Sequence, residues 1–287
     1  MKLDTTNHDR DSAGMTYVYP VVSRRARGVS IGINLNPNNA CNWRCVYCQV
    51  PGLTRGAAPE LDLVQLEREL REMLARAQDP QWMQAHVPEE ARRLNDVALS
   101  GNGEPTTSEQ LGEVLTLLER ALSDAGLLGQ LRIVLISNGS LVHQPRVRAA
   151  LEQLARLGGE VWFKLDAATD SLRERLNDTR IDSQRTLSNL VECATACPTW
   201  LQTIAVDFEG PALAGPEEKA WIELVRAACE RLAERNANPL RGVLLYGLAR
   251  TSHQPEASRL SALAPAELEA LGKRLEAATG LEVRVSP

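Results

Sequence analysis

Short β-branched or aliphatic runs alternate with longer amphipathic runs along this chain of 287 residues, and that alternation limits the folds open to it. The strand-like runs fall at 29–35, 96–100, 131–137, 160–165, 200–206 and 242–248. The helix-like runs cover 61–77, 108–125, 145–157, 183–196, 217–235 and 265–279. In the first of these, Leu63, Leu66, Leu70 and Leu74 recur at helical spacing with charges on the other face. Ser108 is placed to cap the second, which ends before Gly126. Pro265 suits the first turn of the last. A final run, 281–285, adds a strand or a tail. Strands alternating with helices predict βαβ units around a parallel sheet. Six such units are too few to close an eight-stranded barrel. The expectation is an open α/β sheet with helices outside. The pattern leaves a doubly wound sheet and a partial barrel both open; in either, loops at the carboxyl ends of the strands carry the chemistry.

Composition narrows the function classes. Hydrophobic residues make up 44% of the chain and aromatic ones only 4%, so Leu, Val, Ile and Ala must build the core. No uninterrupted apolar run approaches the ~18 residues of a membrane span, so no membrane partner is expected. Residues 1–14 are polar and lack an apolar signal region. The domain expectation is a loosely packed extension over 1–24 ahead of one core domain over 25–287. A formal net charge of −5 gives no global attraction to nucleic acid. The local stretch Arg24-Arg25-Ala26-Arg27 contacts phosphate or forms a solvated loop.

The most specific chemistry lies just after the first strand. Cys41, Cys45 and Cys48 occupy the run Cys-Asn-Trp-Arg-Cys-Val-Tyr-Cys, so three thiolates can converge from one loop. Zinc sites commonly pair two early ligands with two later ones, and no such second pair follows. Cys193 and Cys197 share a helical face, and Cys229 lies in another helix; all three read as small hydrophobes. A disulfide framework does not suit a chain of this size without a secretion signal. An iron–sulfur cluster with four cysteine ligands is closed, whereas one with three leaves an iron for an exogenous ligand.

The triplet's spacing, with Tyr47 just before the last cysteine, resembles the signature of the radical S-adenosylmethionine (SAM) enzymes. That resemblance implies a [4Fe-4S] cluster on Cys41, Cys45 and Cys48, with SAM on the fourth iron. It also implies the fold: a partial (β/α)6 TIM-like barrel with parallel strands. The string Ser100-Gly101-Asn102-Gly103-Glu104-Pro105-Thr106 resembles the family's Gly-Gly-Glu-Pro element, which holds the cofactor's amino group. Asn102 replaces the first glycine there, and Asn tolerates left-handed geometry well. Glu104 braces the loop or neighbours the ammonium. Asn138, in Ser137-Asn138-Gly139, could bond ribose or carboxylate, and Gly139 could let the chain turn. Lys164 and Asp166 share one face of a strand. Buried charge needs partners: the cofactor's carboxylate for Lys164 and its ribose hydroxyls for Asp166, or else an internal ion pair. Gln202 faces the cofactor or bonds backbone. Arg250 and His253 lie where a substrate could approach.

The resemblance therefore implies a cytoplasmic enzyme that cleaves SAM reductively to a 5′-deoxyadenosyl radical and abstracts hydrogen from a small molecule, an RNA or a protein. An electron donor such as flavodoxin or ferredoxin is implied with it. The Asn-Gly-Glu-Pro loop and the Cys-Val-Tyr-Cys-Gln run look closest to proteins grouped with wyosine-type tRNA-modifying synthases. The chain has no obvious second cysteine cluster and lacks the basic excess of a strong tRNA binder. Two other readings stand beside this one: an activating enzyme that installs a glycyl radical on a partner protein, and a non-catalytic iron–sulfur electron carrier.

Overall fold

A computed structural model describes residues 2–3, 13–23 and 28–287. Along the chain come β1 (Val18–Ser23), β2 (Gly28–Ile33), the short β3 (Ala40–Cys41) and β4 (Thr54–Arg55), then α1 (Leu63–Gln78) and α2 (Pro80–His86). Next are β5 (Leu94–Leu99), α3 (Leu111–Asp124), β6 (Arg132–Ser137), α4 (Pro145–Arg156) and β7 (Glu160–Lys164). There follow α5 (Asp170–Asn177), α6 (Ser183–Ala196), β8 (Thr199–Phe208), α7 (Pro216–Glu234) and β9 (Gly242–Gly247). The last elements are β10 (Leu260–Ala262), α8 (Pro265–Thr279) and β11 (Val283–Ser286). All six strands expected from the sequence are present, and the run 281–285 proves to be a strand beside β9.

The main sheet has the order β1-β2-β5-β6-β7-β8-β9-β11, and every pair from β2 to β11 along that path is parallel. Strand order never reverses, so the doubly wound alternative, which requires a reversal point, does not apply. Crossovers that always step one way with one hand put the long crossover helices on the same face. Consistent with this, α1 packs on α3, α3 on α4, α4 on α6, α6 on α7 and α7 on α8. The sheet curls away from that layer into a half-barrel, and its concave face is left for the site.

Strand alternation divides the core. Val97, Leu99, Ile133, Leu135, Val161, Phe163, Leu201, Val243 and Leu245 point outward and join the helices in the main core. The intervening Ala98, Val134, Trp162, Trp200 and Leu244 form a separate cluster on the concave side. The indole nitrogens of Trp162 and Trp200 both donate to Glu160, at 2.9 and 3.2 Å, which satisfies their polar edges.

Three expectations change. Within the stretch 1–24, expected to be a loose extension, Val18–Ser23 is an antiparallel edge strand on β2, while residues 1, 4–12 and 24 lie outside the described residues. Buried Glu69 of α1 accepts the backbone N–H groups of Thr16, Tyr17 and Val18 at 3.0, 2.7 and 3.2 Å, fixing the strand's start. Edge position is what makes Pro20 compatible with it. Opposite Tyr19 stands Gly32, where a Cβ would lie 2.2 Å from the phenol ring, so only glycine admits the ring over β2. The basic stretch 24–27 lies outside the described residues. Ser108 does not cap α3: Pro105–Thr107 form a 3₁₀ turn capped by Glu104, and α3 begins at Leu111. Two short helices, α2 and α5, are additional to the predicted set. Among the described residues no helix is long and apolar enough to cross a membrane.

Candidate cluster and cofactor site

The cysteine loop leaves β2 through Asn34 and Asn36. Asn34 Oδ1 accepts from the N–H of Asn36 at 3.0 Å, and Asn36 Nδ2 donates to the Ala40 carbonyl at 2.9 Å. These Asx interactions turn the chain without helix, and Asn39, at φ 55°, completes the bend. β3 and β4 then pin Cys41 against Arg55. Two distant elements clamp the rest of the loop. From α5, the carbonyls of Asn177 and Leu176 accept from Arg44 and Val46 at 3.2 and 2.8 Å. From the strap after β9, Ser252 Oγ donates to the Val46 carbonyl at 2.7 Å, and the N–H of His253 donates to the Cys48 carbonyl at 2.9 Å. Arg44 closes the clamp with a two-pronged pair to Glu256, at 2.9 and 3.0 Å, and a bond to Asp178 at 3.0 Å. Backbone is spent on the clamp, so the three thiols are free to face inward.

They face one cavity of about 330 Å3 in the mouth of the half-barrel, which Cys41, Cys45 and Cys48 line together. Burial pushes the Cys41 thiol up to about 12 and the Cys45 thiol up to about 11. A single ion needs its donors about 2–2.3 Å from one point. Among the described residues no group of three His, Cys, Asp or Glu side chains is so gathered. A cubane, whose ligands attach at separate corners, suits thiols spread round a wall.

The loop after β5 presses against the cysteine loop. A Cβ on Gly103 would lie 2.1 Å from the Ala40 carbonyl oxygen, and one on Gly101 would lie 2.3 Å from Asn34 Oδ1. Neither glycine has positive φ, and Asn102 does not either, so close approach rather than left-handed geometry requires this sequence. Asn102 instead docks: its N–H donates to Asn34 Oδ1 at 3.0 Å and its Nδ2 to Asn39 Oδ1 at 2.6 Å. Gly103→Ala is therefore expected to push the two loops apart and destabilise the fold by about 1–3 kcal/mol. A fall in the urea midpoint measures this, and an unchanged midpoint would contradict the contact.

Glu104 is a brace. Its carboxylate accepts from Thr106 N and Oγ1 at 3.1 and 2.6 Å, from Ser137 Oγ at 2.7 Å and from Asn138 N at 2.6 Å. Burial lifts its pKa above the usual carboxylate value, although those hydrogen bonds pull the other way. It thereby ties the β5 loop to the end of β6. There Asn138 donates from Nδ2 to Asn42 Oδ1 at 2.9 Å, next to Cys41, and accepts from Ser140. Gly139 has φ +68°, and a Cβ there would strike the Phe163 ring at 2.0 Å, so the turn expected at this point does depend on glycine.

On β7, Lys164 reaches the cavity while Asp166 does not line it. The Asp166 side chain is fully covered and takes hydrogen bonds from the Tyr47 hydroxyl, Asn177 Nδ2 (3.1 Å) and the N–H of Ile204 (3.2 Å). Of the two alternatives for Asp166, the geometry is that of the internal pair: Lys164 Nζ lies 3.7 Å from its carboxylate. Lys164 also donates to the Tyr246 hydroxyl at 2.9 Å and sits over the Tyr47 ring. Burial opposes its charge, but Asp166 outweighs this and holds it above the usual lysine range. The result is a fixed cation on the cavity wall.

Gln202, paired in register with Lys164 on β8, is 3% exposed and lines the cavity. Its carboxamide brings a donor and an acceptor to that wall, where a ligand could meet them. Arg250 lines the cavity and donates to Gln49 Oε1 at 3.3 Å, whereas His253 is exposed, does not line it and meets the cysteine loop through its backbone N–H. Sequence reasoning missed Asn34, Ser252 and Asn177. Nothing in local spacing marks them, because their partners lie 68, 206 and 132 residues away.

Comparison with known proteins agrees with this geometry. A family model described as the radical SAM superfamily matches residues 35–211. A UPF0026 protein of Helicobacter pylori is 26% identical over 159 residues, 55% of this chain and 44% of that protein. A UPF0026 protein of Synechocystis sp. is 29% identical over 161 residues, 56% of this chain and 52% of that protein. The chain spans about half the length of these curated relatives. Among solved structures, TYW1 with a lysine–pyruvate adduct bound superposes with a TM-score of 0.55 at 16% identity, covering 88% of this chain and 74% of that one. At that identity the likeness is one of fold.

Proposed function

This chain belongs to the radical SAM superfamily, and on that footing we propose that it abstracts hydrogen from a small polar molecule held inside the half-barrel. It is an enzyme of that class, which uses a [4Fe-4S] cluster and SAM. The chemistry the bound pair supplies is reductive cleavage of SAM to methionine and a hydrogen-abstracting 5′-deoxyadenosyl radical. The residues present fit that pair. Cys41, Cys45 and Cys48 would hold the cluster, and their count leaves one corner without a protein ligand.

The chain's own groups do the positioning. The loop Gly101-Asn102-Gly103 borders the cavity, and its main-chain carbonyls would serve an amino group there. Lys164 offers a fixed positive charge to a carboxylate, and Gln202 offers a donor and an acceptor to a polar edge. Tyr47 and Tyr246 keep Lys164 in place, with Asp166 balancing its charge from behind. Ala98, Ile136 and Trp162 line the deeper wall and exclude water from the reacting atoms. A low-potential protein such as flavodoxin or ferredoxin would supply the electron.

The observation that carries this reading is the convergence on one cavity of three thiols, the Gly101–Glu104 loop, Lys164 and Gln202. A net charge of −5 gives no global attraction to nucleic acid and favours a small molecule over RNA. Anaerobic reconstitution tests the proposal: about four irons per chain are expected, with 5′-deoxyadenosine released when SAM and a reductant are added. A carrier would accept electrons and leave SAM intact. Comparing small-molecule pools and modified nucleosides in cells with and without the protein tests the substrate class; a changed nucleoside alone would overturn it.

A further inference from the structure

We infer that Asn177 is a positioning residue that sets how readily the cluster accepts an electron, through an N–H···S bond to Cys45. The inference rests on the cluster reading of the cysteine triplet. Asn177 is the last residue of α5 and is 1% exposed. Its Nδ2 lies 3.3 Å from Cys45 Sγ, 3.1 Å from Asp166 Oδ2 and 3.3 Å from the Tyr47 hydroxyl oxygen. Tyr47 gives its own proton to Asp166, so all three neighbours present lone pairs to the amide. Only the nitrogen end of the carboxamide can face them, because an oxygen there would meet acceptors alone. The side chain's orientation is thus fixed by its surroundings.

The donor is also held from its own backbone. The Asn177 carbonyl accepts from Arg44 and the Leu176 carbonyl from Val46, gripping the loop on both sides of Cys45. Asp178, in the left-handed region at φ 48°, ends α5 at this point and keeps Asn177 in the last helical turn. On the far side, Asp166 is itself anchored by Ile204 N and Lys164. Among the described residues neither other cysteine has an equivalent: Cys41 receives a longer backbone N–H from Trp43 at 3.5 Å. A cysteine sulfur carries more negative charge when its cluster is reduced. A preorganised N–H aimed at it therefore favours the reduced state, and hydrogen bonds to sulfur are among the terms that set cluster potentials.

The test is spectroelectrochemical titration of the reconstituted protein, followed by the EPR signal of the reduced cluster. Asn177→Leu removes both N–H donors at similar size. At a fixed reducing poise the ratio of reduced to oxidised cluster should fall about tenfold, a shift of 59 mV to lower potential for one electron. Asn177→Met, a second apolar side chain without an N–H, should shift the potential the same way. Tyr47→Phe, which removes a partner of Asp166 but no donor to sulfur, should shift it much less. An unchanged potential in either Asn177 variant with full iron content overturns the inference. So does iron loss in both, because Asn177 would then serve assembly alone. Absence of a cluster in the unaltered protein would instead overturn the reading on which the inference stands.

Discussion

Cys45→Ala is expected to leave a folded chain that binds little iron, shows no cluster absorbance and releases no 5′-deoxyadenosine above background. The reason lies in how the loop is held. Its shape comes from backbone bonds to Leu176, Asn177, Ser252 and His253, none of which involves the Cys45 thiol. Removing the sulfur therefore takes away one ligand of three without releasing the scaffold. With two thiolates left, a cubane has two corners without protein ligands, and retention drops steeply. Cys193→Ala is the matched control. Cys193 is buried in the main core against Thr199 and should keep its full iron. Iron content and SAM cleavage, measured side by side, decide the matter. Cleavage retained in the Cys45 variant would remove that residue from the ligand set.

Glu104→Ala should have the largest effect on stability. Its carboxylate is the shared acceptor for two backbone N–H groups, Thr106 and Asn138, and two hydroxyls, Thr106 and Ser137. The hydroxyls can rotate to other partners, but the two buried N–H groups cannot. Each orphaned donor costs about 1–3 kcal/mol, so a loss of about 3–6 kcal/mol is expected once the vacated space is included. That is comparable with the whole stability of many domains, about 5–15 kcal/mol. Thermal unfolding should fall by roughly 10 °C or more. Glu104→Gln retains the acceptor used by Thr106 and Ser137 but sets an N–H₂ against the N–H of Asn138. It should fall between the two. A loss below about 1 kcal/mol for the alanine variant would show that Glu104 is not the brace described.

Much of the fold could be read from the sequence because periodicity reports burial directly. Strands buried on both faces appear as runs of Val, Ile and Leu, and helices such as α1 show their apolar stripe. The edge strand β1 escaped because nothing in Val18–Ser23 shows that Glu69, 50 residues on, will cap it. The half-barrel itself required the family resemblance, since alternation alone does not fix the direction of winding. At the site, cysteine spacing and the glycine-rich loop were visible because local chemistry dictates them. For Asp166, alternation leaves cofactor contact and an internal pair both open, and the cover from Tyr47 and Asn177 comes from elements that sequence does not show to be adjacent. Gln202 is the reverse case: only the structure shows that it lines the cavity wall beside Lys164.

The two-sided grip on the cysteine loop bears on how the enzyme matures. One jaw, Leu176 and Asn177, leaves the ribosome some 130 residues after the cysteines, and the other, Ser252 to Glu256, some 75 residues later still. The nascent thiols stay unshaped until residue 256 has been made, and a chain stalled before that point should take up iron poorly.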